Sequence, residues 1–252
     1  MQHGNIVIVG CGGIGGWVAS ALAYTLKSGC VTLIDGDIVE EHNLDRQRFS
    51  PAHIDVPKPE ALSETVQFNS QVDIIIRNEY LTPQTQSIRD FPLFYVGVDN
   101  HPARAAALAL TKQYQGMCII GANETADAEA YCWSTGWEDE SYPGTYYPEI
   151  LTDTSDNPLS PPCTGEEQER FPQLATANMQ AASHMMWLTH IWHLTAPELR
   201  DDDTAKMLPV IVRSNAMGGV TTQSRKDLMA HGKDNKEEES ISLQPAHAAE
   251  AA

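Results

Sequence analysis

The residues able to do chemistry fall at a few spaced places in the first half of the chain. Gly10-Cys11-Gly12-Gly13-Ile14-Gly15 stands between a short apolar run, residues 5–9 (NIVIV), and a longer apolar stretch. Glycines there permit a tight turn and close backbone approach. A helix opening on such a turn offers free N–H groups and the positive end of its dipole to a phosphate. Asp35 closes the next apolar run, 20 positions after Gly15, where an acid commonly bonds a ribose hydroxyl. These features suit NAD, FAD and ATP about equally. The residues that follow separate them. Asn43, Arg46 and Gln47 lie just past that run, Lys58 sits in Val-Pro-Lys-Pro-Glu-Ala, and Asp99-Asn100 ends a later apolar run with Arg104 beyond it. Hydride transfer has no need of two cations and an acid beside the phosphates, whereas nucleotidyl transfer does. Arg46 and Lys58 can stabilise charge developing on the α-phosphate and pyrophosphate. Asp99 suits Mg²⁺, which favours a carboxylate together with phosphate oxygens.

Such residues meet only if strands and helices alternate. Short apolar runs at 5–9, 31–35, 72–77, 93–98 and 117–121 read as strands, and 14–28, 59–68 and 102–114 as helices between them. The pattern predicts an α/β fold with a Rossmann-like, doubly wound and mainly parallel sheet, helices on both faces, and the ligand at the strands' C-terminal ends. Residues 128–134 suit a further strand, 173–194 a helix, and 208–223 a β-hairpin with glycines at its turn. Residues 138–170, rich in Pro, Asp, Glu, Tyr and Gly, read as a long crossover loop. One domain over 1–225 is expected, followed by a disordered, charged and then Ala-rich tail over 226–252.

Composition bounds the ligands. The 252 residues carry 34 acidic and 16 basic side chains, a formal charge of −18. That balance argues against nucleic acid and against an anionic membrane surface, since phosphate binding needs clustered Lys and Arg. A protein partner with a basic face is compatible. No apolar run approaches the ~20 residues that span a bilayer, and no basic segment with an apolar core opens the chain. A cytoplasmic protein is the expectation. The five cysteines include no Cys-x-x-Cys pair, so neither a disulfide framework nor a structural zinc is expected.

Taken in order, Gly-x-Gly-Gly-x-Gly, Asp35-x-Asp37 with Asn43-Leu-x-Arg46-Gln47, Pro-Lys58, and Val-Asp99-Asn100 resemble the signature of the ThiF/MoeB/HesA/ubiquitin-activating superfamily. The resemblance covers roughly residues 4–124. It implies a nucleotide site made by Gly10, Gly12, Gly13, Gly15, Asp35, Asp37, Asn43, Arg46, Gln47, Lys58, Asp99 and Asn100. In it Asp35 binds the ribose, Asn43, Arg46 and Lys58 contact ATP phosphates, and Asp99 holds Mg²⁺. The family reaction it implies is attack by a C-terminal glycine carboxylate of a ubiquitin-like or sulfur-carrier protein on the ATP α-phosphorus. Pyrophosphate leaves and an acyl-adenylate remains. Pro162-Cys163-Thr164, then Phe171-Pro172 and a helix with His184 and Trp187, resembles the segment around the acceptor cysteine of ubiquitin-activating enzymes. The chain also resembles ThiF-type proteins of bacterial PRTRC operons, which implies a conjugating-enzyme-like partner; the family resemblance implies a homodimer. The chain departs from the pattern in lacking zinc-binding Cys-x-x-Cys pairs, in starting four residues before the first strand without an Arg-rich helix, and in having no following ubiquitin-fold domain.

Plainer readings stand beside these. The glycines could serve packing alone, Arg46 and Lys58 could be solvated charges, and Asp37 and Asp45 could be surface or capping residues. Cys11 reads as an inert small residue, and Cys30, Cys118 and Cys132 as core. Cys163, in a polar, Pro-flanked stretch, reads as a reactive thiol. His184, His190 and His193 read as part of a packed or interfacial helix rather than a metal site. The competing functions are an NAD-dependent oxidoreductase and a catalytically weak nucleotide-binding scaffold subunit.

Overall fold

The computed structural model describes residues 2–124, 126–137, 141–154, 174–192 and 205–230. Its strands are β1 (Gln2–Val9), β2 (Ser28–Ile34), β3 (Val72–Arg77), β4 (Leu93–Val96), β5 (Met117–Glu124), β6 (Asp127–Ser134), β7 (Pro209–Ser214) and β8 (Val220–Ser224). They form one sheet in the order β3-β2-β1-β4-β5-β6-β7-β8. Pairing is parallel from β3 through β5 and antiparallel from β5 through β8. The parallel part is built from nearly continuous apolar runs because both of its faces are covered. Ile6 to Val9 of β1 and all of β4 are buried.

The helices are α1 (Gly13–Thr25), α2 (Lys58–Thr65), α3 (His101–Gln113), α4 (Pro143–Tyr146), α5 (Glu149–Thr152) and α6 (Ala175–His190). From β1 the chain first steps outward through β2 to β3, then crosses back to β4 on the other side of β1. Right-handed crossovers therefore set α1 and α3 on opposite faces, and the strand order reverses between β1 and β4. That reversal opens a crevice at the strands' C-terminal ends. α6 packs against α1, β5 and β6, while α5 packs on α3. A fully buried hydrogen bond of 2.7 Å joins Tyr95 of β4 to Thr189 of α6. Because the Thr189 hydroxyl already donates to the Met185 carbonyl at 2.9 Å, the Tyr95 hydroxyl is the donor.

Several boundaries differ from the sequence reading. β4 stops at Val96, although the Gly97 N–H still donates to the Val9 carbonyl at 2.9 Å. β5 runs on to Glu124 and pairs antiparallel with β6 from Glu124 opposite Asp127 to Met117 opposite Ser134. The expected loop 138–170 contains α4 and α5 within its described part. They form where Tyr142, Tyr146 and Tyr147 pack on Trp133 and Tyr131 of β6, contacts no periodicity reveals. Residues 225–230 are helical with Leu228 buried, so helix continues past the expected domain end at 225. Among the described residues no helix is long and apolar enough to cross a membrane.

Candidate active site

The glycine turn follows β1 directly. Gly10 has φ +84°, a left-handed conformation, and a Cβ there would lie 2.8 Å from the Gly97 carbonyl oxygen. A Cβ on Gly15 would overlap the Gly10 carbonyl oxygen. Both positions thus require glycine for close backbone approach. α1 opens at Gly13 with no side-chain cap on its first N–H groups, which leaves its dipole end facing the crevice.

Asp35, just past β2, fastens this turn. One carboxylate oxygen accepts from the Cys11 N–H at 2.7 Å and the other from the Asp37 N–H at 2.9 Å. Burial pushes the Asp35 pKa up, the Lys58 ammonium pulls it back, and Asp37 adds to the rise. Asp37 is the centre of a second set of contacts. Its carboxylate receives Lys58 Nζ at 2.7 Å and the Tyr80 hydroxyl at 2.7 Å, and its carbonyl accepts the Lys58 N–H at 2.9 Å. Lys58 begins α2 with its side chain only 11% exposed. Burial opposes its charge, but Asp35, Asp37 and Asp99 outweigh it and hold the ammonium pKa above the ordinary lysine value. Lys58 is therefore a buried ammonium whose charged form the neighbouring carboxylates favour, within electrostatic reach of Asp99. Asp99 itself is exposed, three residues beyond the end of β4.

Arg46 and Gln47 come from the turn after β2. Asn43, 3% exposed, builds that turn. Its side-chain oxygen accepts from the Glu40 N–H at 3.0 Å, and its backbone carbonyl accepts the Gln47 N–H at 2.9 Å. The Arg46 guanidinium donates to Asp45 at 2.8 Å and to the His42 carbonyl. Gln47 lays its amide against Gly12, where a Cβ would meet it at 3.2 Å. Asn100 caps α3, its side-chain oxygen accepting the Ala103 N–H at 2.9 Å.

The structure thus brings together the glycine turn, Asp35, Asp37 and Lys58, with Asp99 near them, and seats Gln47 against the turn. It ties Arg46 to its own loop, and it commits the side-chain oxygens of Asn43 and Asn100 to backbone N–H groups. Cys163 lies outside the described residues. Cys11, Cys30, Cys118 and Cys132 are all buried, and burial pushes the thiol pKa values of Cys11, Cys118 and Cys132 up. His184 bonds Ser214 at 2.9 Å, and His193 lies outside the described residues. Among the described residues no group of three or more His, Cys, Asp or Glu could hold a metal ion by itself. Two residues at the site escaped sequence reasoning. Tyr80, after β3, folds over Gly36, where a Cβ would lie 2.7 Å from its ring. Asn178 reaches the turn from α6. Neither stands in a motif.

The ThiF family model matches residues 1–206. Ubiquitin-like modifier-activating enzyme 6 of Homo sapiens is 35% identical over 95 residues, which are 35% of this chain and 9% of that protein. The tRNA threonylcarbamoyladenosine dehydratase of Haemophilus influenzae is 30% identical over 118 residues, 45% of each chain. The chain spans between 9% and 45% of the length of these curated relatives. The solved structure of Escherichia coli MccB with ATP superposes with a TM-score of 0.60 at 18% identity, covering 88% of this chain and 64% of that one. At that identity the likeness establishes the fold.

Proposed function

The chain belongs to the ThiF family, and from that premise we propose that it binds Mg-ATP in the crevice between β1 and β4 and adenylates the C-terminal glycine carboxylate of a ubiquitin-like or sulfur-carrier protein. The observation that carries this reading is the buried Lys58, held charged by Asp35 and Asp37 beside the uncapped N-terminus of α1. The adenylyltransferase and sulfurtransferase UBA4 of Yarrowia lipolytica, 41% identical over 68 residues, supports the same reaction class.

The proposed roles follow from position. Asp35 takes the ribose hydroxyls, and the first N–H groups of α1 take the phosphates. Lys58 exchanges its contact with Asp37 for phosphate oxygens. An oxygen of the partner's carboxylate attacks the α-phosphorus, the bond to the bridging oxygen breaks, and pyrophosphate leaves with that electron pair. Lys58 and Arg46 stabilise the growing charge. One exposed carboxylate, Asp99, fits a Mg²⁺ ion that arrives with the nucleotide, since such ions take one or two carboxylates plus phosphate oxygens. Bound there, Mg²⁺ would neutralise triphosphate charge. The proposed second step is attack of the Cys163 thiolate on the acyl carbon of the adenylate, which forms the thioester and breaks the carbon–oxygen bond to the phosphate, so that AMP leaves. A homodimer is proposed as the working unit, with the half-exposed Met179 and Trp187 of α6 offering an apolar contact surface.

The test is exchange of labelled pyrophosphate into ATP upon adding a protein that ends in glycine. Exchange that depends on that partner is expected. Its absence with every small glycine-terminated protein encoded beside the gene, or greater thermal stabilisation by NADH than by Mg-ATP, would overturn the reading.

A further inference from the structure

The glycine turn is gripped from a place the motifs do not reach. Asn178 lies one turn into α6, 132 positions from Arg46 in sequence, and is 1% exposed. Its amide sits directly over Gly13, where a Cβ would lie 2.6 Å from the Asn178 Cγ. Its Nδ2 reaches the Arg46 carbonyl at 3.5 Å, and its Oδ1 is buried with no hydrogen-bond partner among the described residues. Gln47 repeats the arrangement one residue earlier, with its amide over Gly12 and its Oε1 also buried and unpartnered among the described residues. Two buried amides with unsatisfied oxygens are unfavourable in a resting protein. They stand against the uncapped start of α1 and against the backbone that carries Arg46. An apolar residue at 178 would fill the same space at no such cost, so the amide has a use other than packing.

We propose that Asn178 is a positioning residue of the nucleotide site, its amide wedged between the Gly12–Gly13 turn and the Arg46 backbone so that the phosphate-facing N–H groups and Arg46 keep one relative geometry. The proposal rests on the nucleotide reading above for its catalytic consequence, but not for its structural one. Gly13 is glycine, on this account, because Asn178 occupies the space of a side chain there. Small displacements of positioned groups cost rate more than affinity, up to about 10²-fold for a shift near 1 Å.

The test uses the full chain with Asn178→Ala, Gly13→Ala, the double variant, and Asn178→Ser should Asn178→Ala fail to fold. In the nucleotide-free protein, hydrogen exchange at the Gly16 amide, which donates to the Gly12 carbonyl at 3.0 Å, should quicken at least tenfold in Asn178→Ala, a local loss of about 1.4 kcal/mol, while Ile119 and Ile120 keep their protection. With Mg-ATP and partner, Asn178→Ala should lose roughly 10- to 10²-fold in exchange turnover with a smaller change in the ATP Michaelis constant. Gly13→Ala should be impaired by its clash with the Asn178 amide, and adding Asn178→Ala should restore part of the loss, since truncation removes the atoms the new methyl meets and the methyl fills part of the gap that truncation leaves. Unchanged exchange at the Gly16 amide, or losses that simply add in the double variant, would overturn the positioning role. Failure of the wild-type protein to bind Mg-ATP would instead remove the nucleotide reading, and the hydrogen-exchange result would still decide whether Asn178 holds the turn.

Discussion

Lys58 shows how a single side chain acquires a chemical role from its neighbours. A lysine with an 11% exposed side chain ordinarily tends to lose its proton, yet three carboxylates reverse that tendency here. Lys58→Ala and Arg46→Ala should each lower turnover in pyrophosphate exchange by ~10²–10³ and raise the ATP Michaelis constant less, because both act on charge that grows in the transition state. A change confined to the Michaelis constant would mean ground-state binding instead. Asp99→Ala should abolish exchange while the folded chain persists, since Asp99 is exposed beyond the end of β4; retained exchange would exclude it as the metal ligand. Tyr80 offers a pH signature. Its hydrogen bond to Asp37, aided by partial burial and the charges of Asp37 and Asp35, pushes the phenol from 10.0 up to about 12. Between those values the folded chain keeps a proton that the unfolded chain has lost. The contribution is therefore complete below the unfolded value and fades as pH rises through the window. Ring-carbon NMR should show Tyr80 titrating near 12 in the folded protein, and the stability gap between wild type and Tyr80→Phe should close across that range.

At the scale of elements, the site is a set of strand ends and helix starts held at fixed distances. α1 reaches the crevice because Gly10 and Gly15 allow its first turn to lie on the β1 exit, and α2 delivers Lys58 because its first residue is already paired to Asp37 through backbone and side chain. α3 starts at the same edge under the Asn100 cap. Asn100→Ala should cost about 1 kcal/mol in denaturant unfolding, the usual value of a lost N-cap, and leave ATP affinity unaltered. A large loss of affinity with no loss of stability would show that Asn100 serves the nucleotide and not the helix.

For the whole molecule, the parallel half carries the proposed nucleotide site and the antiparallel extension carries α6 back across it. Tyr95–Thr189 locks that return in the core, and Asn178 extends it to the glycine turn. The proposed acyl acceptor belongs to this scale, because every described cysteine is buried and a thioester needs an accessible thiolate. Enzyme mixed with Mg-ATP and partner should give an adduct on a non-reducing gel that dithiothreitol removes and that Cys163→Ala cannot form. The same adduct in Cys163→Ala, or none in wild type while adenylation proceeds, would leave the adenylation step alone.

Much of this was readable in order along the chain. The glycine turn, Asp35, Asp37 and Lys58 sit at strand ends and helix starts, so local patterning locates them and parallel pairing places them at one edge. Ordered motifs also led to the family that the match over 1–206 establishes. The tertiary structure decided what depends on contacts between distant segments. Asp37 and Asn100 could be assigned as ligands from their motifs, but only the packed chain shows Asp37 shared by Lys58 and Tyr80 and Asn100 turned to its own helix. α4 and α5 form on aromatic contacts with β6 and leave no periodic trace in so few residues. Asn178 is silent in sequence because its meaning lies in what it touches. A buried amide acquires a role only when a helix from the second half sets it over a glycine of the first.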